Sequence, residues 1–144
     1  ATLWTNFRYD PFAITAARSM ISDFKLIRKF SPISAVRLYE QHIDYIRAIY
    51  AARKENQKVV VVTHFLPAVE CTAPRFQGPN LINNYFSNDL GQEIADMSNT
   101  TWLFGHTHDS VNIQLGDTRL IANPYGYQGH EVNPAWQSNK IVEI

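Results

Sequence analysis

The 144-residue sequence predicts an α/β fold, a mixed β-sheet with flanking helices, on three observations. Two short apolar runs, residues 58–63 and 101–104, are separated by a helical pattern, which implies a right-handed parallel crossover. Two segments ahead of them repeat apolar residues at helical spacing. Behind them, residues 111–115 and 118–122 flank Gly116-Asp117, a two-residue connection that suits the twist of an antiparallel hairpin.

Taken in order, residues 1–7 (Ala-Thr-Leu-Trp-Thr-Asn-Phe) read as a strand, and the chain opens inside it, as though it enters a domain partway. Asp10-Pro11 supplies an N-cap carboxylate and a first-turn proline. Ala13, Ala17, Met20, Ile21 and Phe24 then mark an amphipathic helix to about residue 24 or 25. Ser31-Pro32 opens a second helix with the stripe Val36, Tyr39, Ile43, Ile46 and Tyr50, a core-packing face too short for a coiled coil. The four valines 59–62 are apolar at consecutive positions, as expected of a strand covered on both faces. Residues 65–80 hold three prolines and a glycine and predict a long loop. Ser87 is placed to cap a short helix through Leu90, Ile94 and Met97. Pro124, Gly126 and Gly129 interrupt regular structure, and residues 140–144 read as a last strand.

A chain of this length is one domain, residues 1–144, able to bury about two-thirds of its unfolded surface. Its 45% hydrophobic, 18% charged and 12% aromatic residues describe a folded chain rather than a disordered one. Thirteen basic and thirteen acidic residues cancel, so no extended nucleic-acid surface is expected. The clusters at Lys25, Arg28, Lys29 and at Arg53, Lys54, Lys58 read as solvated helix ends. Cys71 is the one cysteine, which excludes an internal disulfide, points to a reducing compartment and leaves a loop or half-buried thiol. The valine run is far short of the roughly 20 residues of a membrane helix, and no signal-peptide pattern is found; the expected location is cytoplasmic.

His64, His106 and His108 lie just past the ends of the two central strands. If those strands are parallel, their carboxyl ends share one sheet edge, where open sheets bind ligands. In an extended Gly-His-Thr-His segment, residues i and i+2 project to one side, and Gly105 permits angles that a side chain forbids. The three imidazoles are therefore the predicted ligands of a divalent metal: manganese, iron, zinc or nickel. Asp109 is placed either to orient an imidazole or to serve as a turn carboxylate. His42, on the second helix, reads as a surface or satisfied polar residue, and His130, among glycines, as a turn residue. No dinucleotide fingerprint, Walker lysine loop or nucleophile elbow is present.

With these motifs in view, the chain resembles the carboxyl-terminal half of the calcineurin-like metallophosphoesterases. The matching segments are Val-Val-Thr-His at 61–64, Gly-His-Thr-His at 105–108, the stretch from Thr118 to Tyr127 and Val-Glu-Ile at 142–144, with residues 1–7 similar to the strand that follows the family's central helices. The resemblance implies half of an αββα sandwich, with His64 and His106 on one metal and His108 on the other. It also implies hydrolysis of a phosphoester by a metal-bridging water, with the ions clamping the phosphate oxygens.

The family's Asp-x-His, bridging Gly-Asp and Gly-Asn-His motifs are absent from these 144 residues; Gly116-Asp117 has the letters of the second but falls in the hairpin turn. Two dications about 3.5–4 Å apart repel, and anionic bridges offset that repulsion. Three histidines bring no negative charge, so they are expected to hold at most one metal, and the chain to be weak or silent as a hydrolase alone. The sequence therefore reads as the carboxyl-terminal portion of a hydrolase, a piece of a longer chain or a short form. The alternative is a non-catalytic scaffold module that binds one metal or a protein partner through an apolar sheet face. That uncovered face is expected to support a two-fold homodimer.

Overall fold

The computed structural model describes residues 1–78 and 80–144. It is a mixed α/β structure whose centre is a four-stranded sheet in the order β1-β2-β4-β3, where β1 is Val59–Val62, β2 Thr100–Phe104, β3 Val111–Leu115 and β4 Thr118–Ala122. β2 runs parallel to both neighbours and β3 antiparallel to β4. The expected parallel pairing of β1 with β2 and the expected hairpin are therefore present, with Gly116 at the turn in left-handed conformation (φ 55°).

Pro11–Met20 (α1) begins as the sequence suggests, the Asp10 carboxylate accepting from the Phe12 amide. It stops earlier than expected: Ile21 turns to extended backbone and a short helix, α2 (Asp23–Leu26), follows. Pro32–Ala51 (α3) is capped by Ser31, whose side chain accepts from the Ser34 amide. Its stripe of Tyr39, Ile43 and Ile46 is buried in one core with Trp102, Phe104 and Leu120 from the inner face of the sheet. Trp102 is fully buried.

Four expectations are corrected. Residues 1–7 form no strand: at the end of β1 the Ala1 amino group donates to the Val62 carbonyl and the Thr2 carbonyl accepts from the His64 and Phe65 amides. Leu3 and Trp4 then take positive φ, turning the chain inward so that Leu3 and Phe7 are fully buried. Ser87 does not cap the following helix; it closes α4 (Asn83–Phe86), and α5 spans Gly91–Ala95. Residues 140–144 form no strand, although the Lys58 ammonium donates to the Ile144 carbonyl. The valine run is covered on one face only, Val60 and Val62 being 42% and 57% exposed. The breaker-rich segment contains a two-stranded ribbon that sequence reasoning missed, β5 (Gly126–Tyr127) with β6 (Glu131–Val132). Within the predicted long loop, Val69–Cys71 and Pro74–Phe76 form single 3₁₀ turns.

Candidate metal centre

His64 is held by its backbone. Its amide donates to Thr2 (3.1 Å) and its carbonyl accepts from the Gly105 amide (3.0 Å), so the exits of β1 and β2 are tied together. Next to it, the buried Thr63 hydroxyl accepts from the Trp102 indole at 2.9 Å and donates to the Phe65 carbonyl at 3.1 Å. Gly105 matters for space rather than for its own dihedral: a Cβ there would stand 3.2 Å from His64 Nδ1. The left-handed residue of this turn is His106, at φ 60°.

That twist corrects the extended reading of Gly-His-Thr-His. His106 turns toward His64, with ring centres 4.9 Å apart, and enters an aromatic enclosure. Phe65 lies at 4.2 Å, Phe86 at 5.3 Å and Tyr85 at 5.9 Å between ring centres. Burial first, and then the neighbouring His64, push the His106 pKa down to about 4. Burial lowers that of His64 too. Both rings are thus neutral near pH 7, the form in which imidazole ligates a metal. His106 Nε2 is buried with no hydrogen-bond partner. An orphaned buried nitrogen is costly and calls for a ligand or water.

His108 faces a different neighbourhood. Its Nδ1 lies 2.7 Å from Glu131 Oε2, and its ring packs edge-on against Tyr127 at 4.7 Å. The His108 hydrogen bond, followed by that of Arg75, holds the Glu131 carboxyl below its ordinary pKa. An ionised carboxylate only accepts, so Nδ1 carries the proton and Nε2 is the nitrogen left free for a ligand. Arg75 also donates from Nε and Nη2 to Asp109 Oδ2, at 3.0 and 2.9 Å. Asp109 is therefore a partner of Arg75, and Glu131, which the sequence reading did not single out, is the residue that orients an imidazole. Its signal was hidden because the ribbon carrying it lies among glycines that read as breakers.

His64 and His106 come together, whereas His108 is drawn aside by Glu131. Among the described residues, no group of three or more His, Cys, Asp or Glu side chains is arranged to hold a metal ion. The donors fit part of a cation site: two adjacent neutral imidazoles, one with an orphaned nitrogen, and, among the described residues, no carboxylate bonded to either. The other sequence candidates lie elsewhere. His130 is exposed in the β5–β6 turn, as expected of a turn residue. His42 is half-buried on α3 and its Nδ1 lacks a partner, so it is not a satisfied polar residue. Cys71 is fully buried rather than half-buried, and burial raises its thiol pKa to about 12, which excludes a reactive thiolate.

A cavity of about 390 Å³ opens beside the histidines. His106, His108 and Glu131 form part of its wall, and Leu66, Phe76, Ile82 and Phe86 are among its apolar lining. A larger, more open depression of about 650 Å³ adjoins it, sharing Phe76, Asn83 and Ser87, but none of the histidines lines it. Comparison with models of protein families, with curated proteins and with solved structures gives no match. The similarity to the metallophosphoesterases rests on the sequence motifs alone.

Proposed function

We propose that this chain carries the histidine half of a metal-dependent phosphoester-hydrolysing centre, of the calcineurin-like kind, weak or silent by itself. The observation that supports this reading best is the pairing of His64 and His106 at the exits of two parallel strands, both neutral, with His106 Nε2 buried and unpartnered. Packing alone gives little reason to leave that nitrogen bare. His64 and His106 would hold the ion, whereas His108 stays drawn aside by Glu131. A bound divalent ion supplies Lewis acidity toward a phosphoryl oxygen. The residues of this chain contribute neutral donors, an apolar surround that excludes water, and no anionic bridge for a second ion.

The test is calorimetric titration with zinc, manganese and nickel, followed by turnover of p-nitrophenyl phosphate and its bis ester. One equivalent of metal is expected to bind, with turnover near background, and His106→Ala is expected to abolish binding. Absence of any metal binding would remove the reading. Robust metal-dependent turnover lost in His106→Ala would overturn the expectation of silence.

The second reading is a scaffold module that binds a partner through its open sheet face, and exposed Val60 and Val62 favour it. Metal binding alone does not separate the two, because the scaffold alternative includes one bound metal; metal-dependent phosphoester turnover above background, lost in His106→Ala, favours the first reading.

A further inference from the structure

The cavity beside the histidines carries a statement about substrate. We infer that it receives a planar ring borne on the alcohol side of the phosphoester, an inference that rests on the proposed phosphoester reading and deepens it. Its volume of about 390 Å³ lies within the range of small-molecule sites, and His106 and His108 share its wall with apolar side chains. A phosphoryl group at the imidazoles therefore leaves its esterified group against Phe76 and Phe86.

Those two rings are built as platforms. Phe86 is backed by His106, whose ring is near-parallel at 5.3 Å, and Phe76 by the Arg75 guanidinium, 4.4 Å from its ring centre. Arg75 is fixed in turn by Asp109 and Glu131, so Phe76 rests on a tethered cation. Despite this support, Phe76 is 46% and Phe86 38% exposed. Flat, backed aromatic surface left open inside a cavity matches another flat ring better than a branched or highly polar alcohol. Leu66 and Ile82 complete an apolar lining.

The experiment is calorimetric titration of the zinc-loaded chain with phenylphosphonate, methylphosphonate and phenol. These probes are not hydrolysed, so the readout does not depend on activity. Phenylphosphonate is expected to bind about tenfold more tightly than methylphosphonate, the gain from burying one ring. Phenol is expected to bind far more weakly than phenylphosphonate. In Phe86→Ala, and independently in Phe76→Ala, the phenyl-to-methyl ratio is expected to fall toward one; both side chains are open enough that either truncation spares the core. Equal binding of the two phosphonates would overturn the ring site while leaving the phosphoester reading intact. Phenol binding as tightly as phenylphosphonate would show that the phosphoryl group contributes nothing, and failure of both phosphonates would remove the phosphoester reading itself.

Discussion

At the scale of single residues, the imidazoles are tuned by surroundings that lie far away in the sequence. His106 is neutral because Phe65, Tyr85 and Phe86 enclose it, and His108 points where Glu131 sends it. Replacing Glu131 by Gln loosens the hold that draws His108 aside and is expected to leave zinc binding at His64 and His106 undiminished, as read by calorimetry. Cys71 gives a test independent of metal. Its thiol is fully buried, so Ellman's reagent at pH 8 is expected to find about no reactive thiol in the native chain and about one per chain in urea. The pH dependence follows from the same burial. The folded pKa, about 12, stands above the ordinary 9.0, so the stabilisation is fully present below about pH 9 and is lost as pH rises toward 12. Burial moves Tyr39 and Tyr85 in the same direction. Urea midpoints are expected to drop across that window, with a shallower drop in Cys71→Ala.

Among the elements, α3 carries the most stability per substitution. Ile43 sits at the centre of its buried stripe, and Ile43→Ala is expected to cost about 2–5 kcal/mol in urea unfolding. Ser31→Ala removes a cap bond at the start of the same helix and is expected to cost about 1 kcal/mol. The β3–β4 turn is more constrained than its exposure suggests. A Cβ on Gly116 would approach the Ala95 carbonyl oxygen to 2.2 Å at a φ of 55°, so Gly116→Ala is expected to cost at least about 1–2 kcal/mol. Helices and strands with a clear apolar period were legible in the sequence: α3, β1, β2 and the hairpin lie within a residue or two of their expected places. The first seven residues were not legible, because residues such as Thr2, Trp4, Thr5 and Phe7 are of types common in strands, while the positive φ of Leu3, Trp4 and Phe7 turns the chain so that Leu3 and Phe7 are buried.

For the whole molecule, the unresolved balance is the outer face of the sheet. The inner face packs on the helices, whereas on the outer face Val60 and Val62 stay open at the edge strand β1. The two-fold homodimer expected from the sequence would use these valines. Gel filtration with light scattering is expected to show a dimer that dissociates on dilution, and Val62→Lys is expected to be monomeric at the same concentrations. A wild-type monomer at high concentration would count against it.

The sequence by itself determined the mixed sheet, its parallel centre and the placing of His64 and His106 at one edge, because periodicity and turn residues act locally and strand direction follows from them. Tertiary structure decided the rest. The twist at His106, the diversion of His108 to Glu131 and the aromatic enclosure arise from residues brought together across the fold, and no local pattern encodes which of them will meet.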